Sequence, residues 1–129
     1  MNIQPTYCSY EQSKLLKEKG FDENCRMLIN GAYEPHHLNL TETILQRNSE
    51  ILESCYSIPE QWQVTEWLRV NHGIWIHSAP ENNEEDIVKW AFTIQRIDSE
   101  VRFVRRVGEF NSPQEAYSAA FDYILKELI

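Results

Sequence analysis

The sequence predicts an α+β protein in which three antiparallel strands lie between two helices in chain order. The first observation is a capped amphipathic stretch, 57–78, that turns at Gly73 directly into a short strand. The second is the alternation of large apolar residues with smaller or polar ones over 88–95, which is typical of a half-buried strand. The third is the Ser-Pro-Gln-Glu sequence at Ser112, which predicts the start of a last helix. We therefore interpret residues 57–129 as an α-β-β-β-α unit whose two helices cover one sheet face.

The preceding residues, 1–56, are interpreted as a helical segment packed around this unit. A capping box at Ser9 predicts a helix that ends at Gly20, with Phe21 packing back on the helix. A short apolar run predicts a strand over 27–29, followed by a loop. Apolar residues at helical spacing then predict a second helix over 41–55, capped by Thr41.

The first helix of the C-terminal unit is expected to begin at a reciprocal capping box formed by Ser57 and Glu60. Val64, Trp67 and Leu68 would form its buried side. An acidic loop, 79–86, is expected between the first two strands because it is polar and broken by Pro80.

Length and composition limit the class of protein. A chain of 129 residues with 42% hydrophobic residues is enough for one globular domain, and we predict a single domain over 1–129. The net charge of −8 argues against binding nucleic acid or an anionic membrane through the molecule as a whole. The sequence has no long apolar run and no signal-peptide pattern at its start, so we expect no membrane partner and a cytoplasmic location. Three widely spaced cysteines, Cys8, Cys25 and Cys55, are expected to be reduced thiols.

No pattern in the sequence predicts catalysis, and we expect no enzyme activity, cofactor or metal. Cys8, Cys25 and Cys55 with His36 and His37 lack the paired spacing of zinc ligands. Glu66 could be combined with His72 or His77 as an acid-base pair, but a histidine near a helix C-terminus has a sufficient role as a cation favoured by the helix dipole. The acidic loop lacks the ligand spacing of a calcium site, and mimicry of a nucleic-acid backbone is a minor alternative.

The side of the sheet away from the helices is the candidate binding surface. Val101, Phe103 and Val107 are expected on the buried side of the third strand, with Arg102 and Arg106 on the opposite side. The residues that we expect to bind a partner are Trp75, His77, Lys89, Gln95, Arg102 and Arg106, with Trp62 as a second location. Between 87 and 107 there are five basic residues against two acidic ones, and aromatic and arginine side chains are typical of interface centres and of single-stranded nucleic-acid platforms. The alternative is that the N-terminal segment covers Trp75 and that the arginines pair with the acidic loop.

The order of helices and strands resembles double-stranded-RNA-binding domains in topology only, because the last helix begins without their lysine cluster. Residues 10–21 at the start, 59–61, 67–69 and 72–74 in the middle, and 110–116 before the last helix resemble small uncharacterised proteins encoded by phages, prophages and mobile elements of gut-type anaerobic bacteria. The resemblance spans most of the chain except 25–55. It implies an origin and no activity.

The function that we expect from the sequence is therefore non-enzymatic binding of another macromolecule, a host or phage protein. A homodimer through the same sheet side is compatible with this expectation. The first alternative is a nucleic-acid-binding module that uses Trp75, Lys89, Arg102 and Arg106. A small enzyme is the third candidate.

Overall fold

The computed structural model describes residues 4–32 and 40–129, and the chain divides into two compact units, Met1–Glu60 and Gln61–Ile129. Helices and sheets are both present, so the predicted α+β class is confirmed. Each unit contains a three-stranded sheet. The interpretation of 1–129 as one domain stays a prediction.

The described residues of the first unit form one helix and three strands. They are α1 (Tyr10–Glu18), β1 (Cys25–Asn30), β2 (Leu40–Gln46) and β3 (Cys55–Ile58). β1 lies in the centre and pairs antiparallel with both β2 and β3. The strand predicted over 27–29 is confirmed as part of β1, while the loop predicted after it falls largely on residues 33–39, outside the described part of the chain.

Helix α1 begins and ends as the sequence predicts. The Ser9 hydroxyl accepts a hydrogen bond from the Gln12 amide at 3.1 Å, and the Gln12 side chain accepts one from the Ser9 amide at 3.0 Å. Gly20 takes a left-handed φ of 92°, and the Phe21 amide donates to the Leu16 carbonyl at 2.9 Å. Phe21 and Leu16 are both buried, so this helix end supplies core residues to the first unit.

The helix predicted over 41–55 is wrong. This part of the chain forms β2, a single 3-10 turn over Asn48–Glu50, and β3. The helical spacing of its apolar residues is broken at that turn, where the buried Asn48 side chain binds two distant backbone groups. Its Nδ2 donates to the Phe21 carbonyl at 2.8 Å, and its Oδ1 accepts from the Ser57 amide at 3.0 Å. Pairing with β1, rather than local periodicity, decides the structure of this segment.

The capping box predicted at Ser57 is also wrong. Ser57 is buried in β3, where it pairs with Leu28 of β1, and helix α2 begins four residues later at Gln61 and ends at His72. The Ser-x-x-Glu pattern is therefore a chance match that begins in the last residues of β3. The predicted helix end is confirmed, since Gly73 follows with a left-handed φ of 60°.

The second unit confirms the predicted order of helix, three strands and helix. After α2 come β4 (Ile74–Asn82), β5 (Val88–Ile97), β6 (Val101–Phe110) and α3 (Pro113–Tyr123), and α3 continues as a wider turn over Ile124–Leu128. The antiparallel sheet has the order β4-β5-β6, with α3 packed mainly on β4 and β5 and α2 packed on β4. The fully buried residues between the helices and the sheet include Ile74, Ile94, Leu68, Phe121 and Ile124.

The loop predicted over 79–86 is shorter than expected. β4 continues through Pro80 to Asn82, which pairs with Val88, so the connection to β5 is a tight turn. The Asn83 side chain organises this turn by accepting hydrogen bonds from the amides of Glu85 and Ile87, at 2.9 and 3.1 Å. An Asn side chain that binds nearby amides is a common turn device. Four residues assigned to the loop, 79–82, therefore lie in the sheet.

Helix α3 starts as predicted, with the Ser112 hydroxyl accepting from the Glu115 amide at 3.1 Å and Pro113 at the first helical position. The Glu115 carboxylate accepts from the Asn111 amide at 3.0 Å. Among the described helices, none has both the length and the apolar character that a membrane span requires.

Candidate functional site

The outer face, defined as the side of the β4–β5–β6 sheet away from α3, is built from rows of residues that are directly paired across the strands. Ile76 and Ile94 are paired and buried on the helix side, so the residues next to them in each strand project outward. One row contains Trp75, Gln95 and Phe103. The next row contains His77, Thr93 and Arg106.

Two further outward rows are formed by pairs between β4 and β5. Ala79 pairs with Ala91, and Glu81 pairs with Lys89. Five of the predicted partner-binding residues therefore share the outer face, and they are Trp75, His77, Lys89, Gln95 and Arg106.

Arg102 does not lie on the outer face, contrary to the prediction. It pairs with Arg96, which pairs in turn with the fully buried Ile74 on the helix side. The cause is a register shift in β6, where Ile94 pairs with Arg105 but Gln95 pairs with Phe103. This bulge places one extra residue in β6 and reverses the alternation of its side chains.

The same bulge brings apolar residues to the surface that the sequence analysis assigned to the core. Phe103 is 68% exposed and Val101 is 67% exposed, and both belong to rows on the outer face. Val101 pairs with the half-buried Ile97, and Phe103 shares its row with the half-buried Trp75. The sequence analysis missed this apolar end of the outer face because strict alternation predicts it to be buried.

The cations near the outer face are engaged by other side chains. Arg106 forms an ion pair with Glu81 across β5, and the Lys89 ammonium donates to the Asn111 side chain at 2.6 Å. On the helix side of the sheet, Arg102 forms an ion pair with Asp98 at 2.5 Å, and the Arg105 guanidinium lies 4.8 Å from the centre of the Tyr123 ring. The pairing of an arginine with the segment assigned to the acidic loop is thus confirmed for Arg106.

Gly108 explains how Glu81 reaches Arg106. A Cβ atom added at Gly108 would lie 2.6 Å from the Glu81 Oε1 atom and 3.8 Å from the Ala91 Cβ atom. The Glu81 carboxylate therefore occupies space that only glycine leaves empty in β6. The small residues Ala91 and Gly108 thus leave room on the outer face for the Glu81 side chain to extend across β5 to Arg106.

Trp62 lies away from the outer face, on helix α2. Its side chain is 65% exposed, whereas Val64, Trp67 and Leu68 are buried on the core side of the same helix. Trp62 therefore lies off the apolar side of α2, and its role as a second binding location stays a prediction. The neighbouring Glu66 and Arg69 form an exposed ion pair on the same helix.

The residues considered for acid-base catalysis do not form such a pair. The hydrogen bond and charge of Arg69 lower the pKa of the Glu66 carboxyl, which makes it a weaker base. His77 is exposed on the outer face, and His72 lies at the end of α2 with its ring centre 4.7 Å from that of Trp67. Burial raises the pKa of the Cys25 thiol to about 12, so almost none of it is the nucleophilic thiolate at neutral pH.

The position of His72 at a helix end predicts a favoured cation, but its surroundings in the structure favour the neutral form instead. Burial, with a smaller effect of the positive Arg96, lowers its pKa below the ordinary value of 6.5. The unfolded chain then binds a proton at a higher pH than the folded chain. This histidine therefore stabilises the fold above about pH 6.5, and its contribution is lost as the pH falls through the folded-state pKa.

We predict that a His72→Gln variant loses less stability than the wild type between pH 7.5 and 5.5. Urea unfolding of the two proteins at both values measures this difference. Since carboxyl groups contribute equally to both proteins, the difference isolates the histidine. Identical pH dependence of the two proteins would contradict the prediction.

The cysteines do not assemble a metal site. Cys8, Cys25 and Cys55 are all buried, and none of the three forms a disulfide. Within 4–32 and 40–129, no three His, Cys, Asp or Glu side chains are grouped so that they could hold a metal ion. His36 and His37 lie outside the described residues.

The structure thus defines a class: an α+β chain whose second unit is an α-β-β-β-α layer with an apolar, aromatic end on its outer sheet face. Comparison with known proteins adds no family to this description, since no family model, curated protein or solved structure matches the chain.

Proposed function

We propose that the chain is a non-enzymatic, cytoplasmic protein of phage or mobile-element origin that binds another protein through the outer face. The observation that supports this most strongly is the exposure of Phe103 and Val101 beside Trp75 on a regular sheet surface. Transfer of one such side chain from water to an apolar contact contributes about 1.5–3 kcal/mol. Apolar and aromatic residues that are grouped on the surface in this way are typical of the centre of an interface. The proposed origin rests on the sequence resemblance alone.

A protein partner fits the outer face better than a nucleic acid. Binding to a polynucleotide draws its affinity mainly from cations that neutralise phosphates. On this face Arg106 forms an ion pair with Glu81. Arg102 lies on the other face of the sheet, where it forms an ion pair with Asp98. The apolar row of Trp75 and Phe103 can stack bases, so a single-stranded nucleic acid remains the second candidate.

The size of the face favours a small contact rather than a sheet-to-sheet homodimer. Strands of 9 and 10 residues, at about 3.3 Å per residue and about 4.8 Å between strands, give a face of about 500 Å². A stable interface of standard size buries about 800 Å² on each partner. A homodimer would therefore need surface beyond the outer face.

The experiment is a tagged pull-down from nuclease-treated bacterial lysate, with the retained proteins identified by mass spectrometry. The test variant is Phe103→Glu, which places a charge in the apolar end of the outer face. Arg102→Glu is the matched control, because it changes the charge two units on the same strand but faces the helix side. Thermal unfolding establishes that both variants are folded.

We expect one protein that the wild type and Arg102→Glu retain and that Phe103→Glu loses. Equal retention by all three proteins would contradict binding through the outer face. If proteins are instead retained only from a parallel lysate without nuclease, and Arg106→Glu weakens polynucleotide binding in a salt-dependent manner, the nucleic-acid alternative replaces the proposal.

A further inference from the structure

We propose that the outer face takes an extended segment of another protein that carries an apolar side chain and, two residues further along, a carboxylate. This inference rests on the proposed function and names the chemistry of the partner. The apolar side chain would pack over Gln95 between Trp75 and Phe103. The carboxylate would bind Arg106 in the neighbouring row.

The spacing of the rows supports an extended segment. Gln95 and Thr93 mark two successive outward rows and are two residues apart on β5. That separation is about 6.6 Å along a strand, which is also the distance between successive side chains on one side of any extended chain. A segment that runs along β5 therefore matches both rows at once with residues i and i+2.

The chain already places a carboxylate on the guanidinium group that this segment would bind. The Glu81 side chain extends across β5, over Ala91 and Gly108, and forms an ion pair with Arg106 on the outer face. Arg106 is 48% exposed, so the pair is solvated, and exposed ion pairs contribute only about 0–1 kcal/mol. A partner carboxylate can therefore replace that of Glu81 at small cost, and Glu81 acts as an internal competitor.

The net charge of −8 does not prevent an acidic segment from binding here. At physiological ionic strength, exposed charges are screened beyond about 8 Å. Arg106, which lies in the row that the carboxylate would occupy, then dominates the interaction with a bound carboxylate once Glu81 is displaced. Charge complementarity at this position gives selectivity for acidic over basic segments more than it gives affinity.

The test is selection of random peptides displayed on phage against the immobilised full chain. Selections against the wild type and against Arg102→Glu should enrich an apolar residue followed at the second position by Asp or Glu. Selection against Arg106→Glu should enrich Lys or Arg at that position. Arg102→Glu is the control for a general effect of charge, because it reverses a charge of the same strand on the other sheet face.

A synthetic peptide with the enriched sequence then tests the role of Glu81 by fluorescence anisotropy. Glu81→Gln should tighten its binding about two- to fivefold, because the internal competitor is lost. Gly108→Ala should also tighten binding without any change of charge, since the added methyl group displaces the Glu81 carboxylate from its place. Weaker or unchanged binding in both variants would overturn the role of Glu81 as a competitor.

The outcomes separate this inference from the proposed function. If peptides bind the wild type and Arg106→Glu equally but lose binding in Phe103→Glu, the acidic segment is wrong and the outer face still stands as a binding site. If enriched peptides bind Phe103→Glu as well as they bind the wild type, both proposals lose their support. Absence of any enriched sequence overturns the extended-segment inference, while the lysate experiment tests the proposed function independently.

Discussion

Replacement of Phe121 by alanine is expected to lower the free energy of unfolding of the second unit by about 3–5 kcal/mol. The ring of Phe121 is fully buried in α3 and lies 6.3 Å from the ring of Tyr117, between centres. Removing it eliminates apolar burial and leaves a cavity that the surrounding helix and sheet fill only in part. Because small domains are stable by only about 5–15 kcal/mol, a large share of the molecules would open at moderate denaturant concentrations.

The matched control is the same substitution at Phe103, which is exposed on the outer face. Phe103→Ala should change the free energy of unfolding by less than about 0.5 kcal/mol. Hydrogen exchange of the β5 amides in both variants measures the two effects at the same place. A cost at Phe103 as large as that at Phe121 would show that the outer face is covered in solution and would remove the main observation behind the proposed function.

Replacement of Asn48 by leucine is expected to destabilise the first unit, although the two side chains are similar in size. The Asn48 side chain satisfies the carbonyl of Phe21 and the amide of Ser57, at 2.8 and 3.0 Å. Leucine can bind neither group, and each buried polar group left without a partner costs about 1–3 kcal/mol. The affected contacts join the end of α1 to β3, so the β1 and β3 amides should exchange faster.

Asn111→Leu is the control for this substitution at an exposed hydrogen bond. The Asn111 side chain accepts from the Lys89 ammonium in solvent, where water can replace it. We expect a change below about 0.5 kcal/mol, measured by urea unfolding. If Asn48→Leu were as mild as this control, the buried asparagine would not be what fixes the turn between β2 and β3.

The outer face shows which residues of a candidate site can be predicted from the sequence. The alternation over β5 and the start of β4 places Trp75, His77 and Gln95 on one side without any knowledge of the tertiary structure. It fails in β6, where it puts Arg102 outside and Phe103 inside, the reverse of what the pairing shows. Phe103 is the residue on which the proposed function mainly depends, and a sequence pattern with a period of two gives no sign of a bulge.

The sequence by itself determined the features that depend on hydrogen bonds between near neighbours. These are the capping box at Ser9, the Ser112 hydroxyl that caps α3 and the left-handed glycines that follow α1 and α2. Only the tertiary structure decided the secondary structure of 41–55, the residue at which α2 begins and the side of the sheet to which the β6 side chains project. The first two depend on pairing with β1, which is distant in the sequence, and the free energy of that pairing exceeds the weak local preferences that the sequence displays. The faces of β6 depend on a bulge in its pairing with β5, which a period of two does not predict.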